Sequence, residues 1–108
     1  MVNRFEEAVK VYLKALDINE KSAECHFNLA SAYNDLGEQG RAVQHYNRSI
    51  ELDEGNVDAY VCLAGVLESN KGSAEKIEAL YREALLRDSD NARAKEGLKK
   101  LKQPARRV

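Results

Sequence analysis

The sequence predicts an all-α protein built as a solenoid of short, repeated helical units. A fixed internal period supports this prediction, because Leu29 recurs as Leu63 and again as Leu98, at intervals of 34 and 35 residues. A period of this length indicates a small supersecondary unit that buries its apolar face only by stacking on neighbouring units. Composition agrees, since helix formers dominate the chain and Pro104 is its single proline.

Apolar residues spaced three and four positions apart predict six helices. The first covers about 4–19, and the second covers about 23–36 behind the capping candidate Ser22. The third covers about 40–52, after a turn marked by Gly37. Each has one apolar side and one polar side, as expected of helices that pack through a single face.

Three more helices follow the same pattern. The fourth covers about 57–69, and the fifth follows the capping candidate Ser73 and runs through about Arg87. The sixth, about 92–102, has only two strong apolar positions, Leu98 and Leu101. A charged terminal helix with one thin apolar stripe is suited to close the last hydrophobic face of a solenoid.

The net charge of −1 conceals two oppositely charged parts. Residues 1–92 carry ten Lys or Arg against seventeen Asp or Glu, whereas residues 93–108 carry seven against one. The acidic body would repel a phosphate backbone, and no aromatic residue lies among the basic ones to stack on bases. The sequence therefore disfavours nucleic acid as a partner and predicts a solubilising basic tail.

The sequence gives no sign of export or membrane insertion. Arg4 and Glu6 interrupt the N-terminus where a secretory signal needs an apolar run, and no run is long enough to span a bilayer. Cys25 and Cys62 lie in separate units without metal-ligand spacing, which predicts free thiols. We therefore expect a soluble protein in the reducing cytoplasm.

Small and aromatic residues within one unit resemble the tetratricopeptide repeat, a helix-turn-helix unit of this period. The residues that carry the resemblance are Leu29, Ala30, Tyr33, Gly37, Ala42, Tyr46 and Leu52. The opening helix matches the second helix of such a unit, since Ala8 and Tyr12 stand 34 residues before Ala42 and Tyr46. The resemblance implies a right-handed superhelical array of antiparallel helix pairs.

The repeat frame predicts one domain, residues 1–102, followed by the basic tail, 103–108. The parts of the domain are a half repeat at 3–22, whole repeats at 23–56 and 57–91, and a capping helix at 92–102. Glu54 and Ser89 stand where the family usually has proline, and His26 stands where it favours tryptophan. None of these departures interrupts a predicted helix, so the fold prediction stands.

No arrangement of residues indicates catalysis, which needs a base within reach of a nucleophile or a paired acid. His26 belongs to a buried helical stripe, and His45 lies beside Tyr46 on the predicted outer face of its helix. Gly37 and Gly40 lack the strand and the lysine of a phosphate-binding loop. The sequence therefore predicts a protein that is not an enzyme and needs no cofactor or metal.

In proteins that this chain resembles, the first helix of each unit lines a concave groove that holds a peptide or a partner helix. The corresponding residues here are Glu24, Phe27, Asn28, Ser31, Asn34, Asp35, Asp58, Val61, Cys62, Gly65, Glu68, Ser69 and Arg93. Four carboxylates make this predicted groove mostly acidic, with Phe27 and Val61 as apolar anchors. Basic or mixed-charge protein ligands are therefore expected. A subset of the family grips chaperone C-termini with lysines, asparagines and an arginine. When the match starts at the first whole repeat, only Arg93 fits that pattern; when it starts one unit earlier, Asn28 fits but Asp58 and Cys62 do not.

The alternative is a structural role, as part of a larger solenoid or in a dimer. The opening helix is more apolar around its circumference than its siblings and has no partner helix before it, which leaves part of the face with Ala8 and Ala15 uncovered. An exposed apolar patch usually marks an interface. Either two copies associate there or a helix from another protein completes the unit. The predicted interface residues are Val9, Val11, Tyr12 and Leu13.

Overall fold

The computed structural model describes residues 4–102, which form six helices. They are α1 (Arg4–Ile18), α2 (Ala23–Asp35), α3 (Gln39–Leu52), α4 (Val57–Ser69), α5 (Ala74–Arg87) and α6 (Ala92–Lys102). Each helix packs on the next one along the chain, which confirms the predicted all-α solenoid. Residues 1–3 and the predicted tail, 103–108, lie outside the described residues. No helix within 4–102 has both the length and the apolar run needed to cross a membrane.

The helix ends differ from the predicted ones by one residue at most. α1 and α2 each end one residue early, and α3 begins one residue early. The end of α2 follows from Gly37, whose φ of +83° lies in the left-handed region that glycine adopts without strain. The longer turn after α4 instead places Lys71 in that region, at φ +60°.

Two adjoining hydrophobic clusters form the core. The first consists of Leu29, Ala30, Tyr33, Ala42, Tyr46, Leu63 and Val66. The second consists of Tyr60, Val61, Ala64, Ile77, Tyr81, Ala84 and Ala94. Ala30 and Ala42 are fully buried, so α2 and α3 approach each other without large side chains between them at these points. Tyr46 and Tyr81 are each 2% exposed and occupy equivalent repeat positions.

The turns that precede α2, α4 and α6 share one hydrogen-bonding pattern. Asn19, Asp53 and Asp88 each accept a hydrogen bond from the backbone N–H two residues further on. The side chains that then cap the following helices are Ser22, Asn56 and Asn91. These local hydrogen bonds define the turn where the related family usually places a proline.

The fourth residue of α2 and of α4 ties its helix to the preceding turn. Nε2 of His26 lies 2.9 Å from the carbonyl oxygen of Glu20, and the hydroxyl of Tyr60 donates to the carbonyl of Glu54 at 2.9 Å. Both links span six residues. The first unit adds a second contact, because Nδ1 of His26 lies 3.0 Å from Nδ1 of His45 on α3.

The contact between the two imidazoles constrains their hydrogen-bond roles. Nε2 of His26 donates to the carbonyl of Glu20, and of the two Nδ1 atoms one donates and the other accepts. Two protonated rings cannot share this contact. Burial, followed by the neighbouring His26 and Arg41, lowers the pKa of His45. The ring of Tyr33 stacks on His45 with 5.6 Å between centroids.

We expect the free energy of unfolding to decrease as the pH falls below 6.5, the ordinary pKa of histidine. The lowered pKa of His45 means that the unfolded chain takes up the proton first, so this stabilisation is present above pH 6.5 and lost as the pH falls through the folded value. The double variant His26→Tyr and His45→Leu copies Tyr60 and Leu80 of the next unit and should show a smaller pH dependence. Thermal unfolding on both sides of pH 6.5 measures this, and an unchanged dependence would contradict the assignment.

The packing of α6 on α5 leaves no room for a side chain at Gly97, where an added Cβ would overlap the ring of Tyr81. Gly97→Ala should destabilise the chain by about 1–3 kcal/mol, the usual cost of overpacking a filled interior. Gly40→Ala is the matched control, because an added Cβ there meets nothing within 4 Å. The control should be neutral or stabilising by up to about 1 kcal/mol. Urea unfolding of both variants tests the contact, and equal midpoints would argue against it.

Candidate peptide-binding groove

Tyr46 on α3 forms part of the floor of a groove. Its hydroxyl lies 2.9 Å from Oγ of Ser31, and its ring meets the edge of Phe27 with 5.6 Å between centroids. Both partners are predicted groove residues on α2. Burial raises the pKa of Tyr46 to about 12, so the hydroxyl remains protonated and can donate or accept a hydrogen bond at neutral pH.

A pocket of about 240 Å³ opens where α2, α3, α4 and α6 meet. Its lining residues are Asn34, Tyr46, Cys62, Gly65, Val66, Ser69 and Arg93. All of these except Tyr46 and Val66 were predicted from helical spacing. The predicted ones come from three helices, α2, α4 and α6. Tyr46 and Val66 were missed because both belong to the buried stripe. The signal that could have found Tyr46 is its hydroxyl, which needs a polar partner when the ring is buried.

A second pocket, of about 250 Å³, continues the groove between α4 and α6. It is lined by Glu68, Tyr81, Arg93, Glu96, Gly97 and Lys100. Burial and a hydrogen bond to Glu68 raise the pKa of Tyr81 to about 12. Arg93 lines both pockets and therefore joins them into one surface.

Gly65 provides the space in which Arg93 lies against α4. A Cβ added at Gly65 would stand 3.2 Å from Nη2 of Arg93. The guanidinium is also close enough to Cys62 to favour its thiolate, as does the hydrogen bond from Tyr46. Burial outweighs both effects and raises the pKa of the Cys62 thiol, so this cysteine is a neutral part of the groove wall.

The remaining predicted residues differ in exposure. The exposed ones are Glu24, Asn34, Asp35, Asp58, Glu68, Ser69 and Arg93. The half-buried ones are Phe27, Asn28, Ser31, Cys62 and Gly65. The predicted residues that line neither pocket are Glu24, Phe27, Asn28, Ser31, Asp35, Asp58 and Val61. Asp35 and Asp58 nevertheless act electrostatically on Tyr46 and Cys62 respectively, which places these two carboxylates near the first pocket.

The expectation that Val61 is an apolar anchor open to a ligand is wrong. Val61 is 4% exposed and belongs to the second hydrophobic cluster. The reason is the position of α4 inside the solenoid, where α3 packs on one side and α5 on the other. A wider arc of α4 is therefore buried than spacing from a single face suggests. Phe27 remains the one predicted apolar anchor with part of its ring accessible.

The predicted interface on α1 is divided between core and surface. Val11 is 61% exposed and Leu13 is 42% exposed, whereas Val9 and Tyr12 are half-buried against the first hydrophobic cluster. α1 contains no buried residue. Ile18 is 89% exposed, so the expectation from helical spacing that it lies on the buried face of α1 is wrong.

Comparisons with known proteins agree with this architecture. A Tonsoku-like protein from Danio rerio is 29% identical over an alignment of 118 positions that covers 93% of this chain. The chain spans only 8% of the length of that relative. The TPR domain of Arabidopsis OM64 is 28% identical, with a TM-score of 0.84, over 91% of this chain and 80% of that one.

A further solved structure is the first TPR of Spaghetti (RPAP3) bound to the HSP90 peptide SRMEEVD. It is 23% identical, with a TM-score of 0.85, over 91% of this chain and 77% of that one, and at this identity the likeness shows a shared fold. The family model for the TPR repeat matches residues 3–37 and 30–71, which together make up more than half of the sequence. The chain therefore belongs to the TPR repeat family.

Proposed function

We propose that the chain is a protein-interaction module that binds a peptide or a partner helix in the groove between α2, α4 and α6. The observation that supports this most directly is the position of Arg93, which lines both pockets and lies against Gly65. Residues from three helices thereby form one continuous concave surface. Its mixture of a partly accessible aromatic ring, polar groups and charges is typical of recognition sites.

The charges of the groove favour a ligand of mixed or basic charge. Glu68 lines the second pocket, and Asp35 and Asp58 lie near the first. These carboxylates would attract basic side chains at the rim, while Arg93 would take one acidic group at the centre. Phe27, in edge contact with Tyr46, would pack against one apolar side chain of the ligand.

An acidic chaperone tail fits this groove poorly. The Spaghetti TPR domain was solved with the peptide SRMEEVD, in which acidic residues predominate. In the present chain Asp58 and Cys62 stand where a carboxylate-binding TPR would need basic or amide side chains. We infer that SRMEEVD binds more weakly here than a peptide of mixed charge.

Selection from a random peptide display library should return sequences with neutral or positive net charge and at least one large apolar residue. Phe27→Glu should weaken binding of a selected peptide about 10- to 100-fold, because it removes an apolar contact worth about 1.5–3 kcal/mol. Fluorescence anisotropy measures the affinity, and circular dichroism checks that the variant is folded. Val61 is unsuitable for this test because it belongs to the core.

Leu86→Glu is the matched control for the groove, since Leu86 is 78% exposed on α5, whereas Phe27 contacts Tyr46 on the groove floor. It should leave the affinity unchanged. Enrichment of acidic peptides, or equal losses from Phe27→Glu and Leu86→Glu, would contradict the proposed groove. SRMEEVD serves as the acidic reference peptide in the same assay.

Gly65→Ala should separate binding from stability. Within a helix the change should stabilise the fold by about 0.5–1 kcal/mol. The new methyl group would also displace the guanidinium of Arg93, and affinity for a peptide with an acidic centre should fall at least about threefold. In an Arg93→Ala background, Gly65→Ala should have no further effect on affinity. A full additional loss in that background would show that Gly65 acts without Arg93.

A further inference from the structure

A second groove lies apart from the candidate peptide-binding groove. It has a volume of about 420 Å³ and is formed by α1, the end of α2 and the beginning of α3. Its apolar lining residues are Val9, Leu13, Tyr33 and Leu36, and its charged ones are Glu6, Lys10, Glu38 and Arg41. We name this surface the α1–α3 groove. Two of its residues, Val9 and Leu13, belong to the interface predicted from the sequence.

Arg41 forms one wall of the α1–α3 groove. Its Cζ lies 5.6 Å from the centroid of the Tyr33 ring, and its Nε lies 3.4 Å from Oε1 of Glu38. The rim carries two acidic and two basic side chains and is therefore neutral as a whole. An apolar floor inside a neutral rim favours an apolar side chain from a surface whose own charges are balanced.

The next unit shows that the fold does not require leucine in this groove. Leu13 and Leu36 correspond to Asn47 and Asn70, each 34 residues later. Because the units stack with asparagine at both positions, the packing between units does not depend on the leucines. Apolar residues at surface positions that the fold does not need to be apolar are characteristic of a contact site.

The exposure of the α1–α3 groove does not depend on whether another helix precedes α1. Its α1 positions 6, 10 and 13 correspond to Gly40, Gln44 and Asn47 on α3. α2 packs on α3, and yet Gly40 and Gln44 are exposed and Asn47 is half-buried. A helix placed on α1 as α2 is placed on α3 would therefore leave the groove open.

Leu86 on α5 is a leucine at a position where the other units have a carboxylate. It is 78% exposed, and within residues 4–102 it is the one large exposed apolar side chain outside α1. The equivalent residues are Asp17 on α1 and Glu51 on α3, and both are exposed although further helix pairs follow them. The exposure of Leu86 is therefore a property of its repeat position, and a following helix would not cover it.

The charges beside Leu86 are paired within α5. Arg82 and Glu83 line one pocket together with Leu86. Arg82 pairs with Glu78 at 2.6 Å, and Glu83 pairs with Arg87 at 2.7 Å. Leu86 therefore protrudes between balanced charges, as the neutral rim of the α1–α3 groove requires.

We propose that copies of this chain associate head to tail, with Leu86 of one copy inserted in the α1–α3 groove of the next. The contact removes an exposed leucine and an apolar groove from water together. Each copy carries both halves of the contact on different helices, so the contact is heterologous and can repeat from copy to copy. An interface centred on one leucine is small, which makes the association weak and dependent on concentration.

Light scattering of the whole chain in reducing buffer, from about 10 µM to about 1 mM, tests the proposal. We expect the mean mass of the parent chain to rise with concentration. Leu86→Glu copies Glu51 and Leu13→Asn copies Asn47, so both variants use residues that the fold already accepts there. Each should weaken the association at least about tenfold and remain folded by circular dichroism. Val11→Asn is the matched control, because Val11 is 61% exposed on α1 without lining the groove.

Mixing the two variants tests the pairing itself. The Leu86→Glu chain retains an intact groove, and the Leu13→Asn chain retains Leu86. An equimolar mixture should therefore form a complex of two chains that cannot extend further, whereas each variant alone stays monomeric at the same concentration.

Three results would overturn the proposal. The first is a parent chain that stays monomeric over the whole range. The second is association that Val11→Asn abolishes and Leu13→Asn does not, since the contact would then use another face of α1. The third is a mixture of the two folded variants that stays monomeric. Phe27→Glu should leave self-association unchanged, so a failure of peptide binding and a failure of this contact are distinguishable. Peptide assays below about 10 µM use the monomer, where Leu86→Glu remains a valid control.

Discussion

Two buried tyrosines, each linking its own helix to two others, form part of both the core and the candidate groove of this solenoid. Tyr46 reaches from α3 to Ser31 on α2 and to Cys62 on α4. Tyr81 reaches from α5 to α4 and packs tightly on Gly97 of α6. Because the rings fill the space between units while both tyrosines line groove pockets, a change in packing there also changes the binding surface.

The first and the last of the described helices differ in how far their apolar residues are buried. At one end, α6 covers the second hydrophobic cluster with Ala94 and turns a row of lysines outward. At the other end, Tyr12 holds the repeat position of Tyr46 and Tyr81 but is covered from one side only. Each unit of a solenoid depends on its nearest neighbours for burial. Among the described residues, α6 therefore turns charged groups outward, whereas α1 exposes the apolar Val11 and Ile18 among its charges.

The six helices and most of their ends could be predicted from the sequence because local signals specify them. Caps such as Ser22 and Asn56, and apolar residues at helical spacing, act within a few residues of one another. The burial of Val61 and the position of Arg93 against Gly65 depend instead on how several helices pack together. Periodicity within one helix does not predict which residues of different helices come together. The sequence therefore predicted several residues of the candidate groove, but neither the place of Tyr46 in its floor nor the burial of Val61.

The charge pattern of the groove depends on how the last helix docks. Arg93 lies in the first turn of α6, which begins at the cap provided by Asn91 and packs on Tyr81 through Gly97. If α6 separated from α5, the groove would retain the carboxylates of α2 and α4 and lose the cation that joins its two pockets. In the proposed groove, selectivity between purely basic and mixed-charge ligands would therefore depend on the packing of α6 on Tyr81.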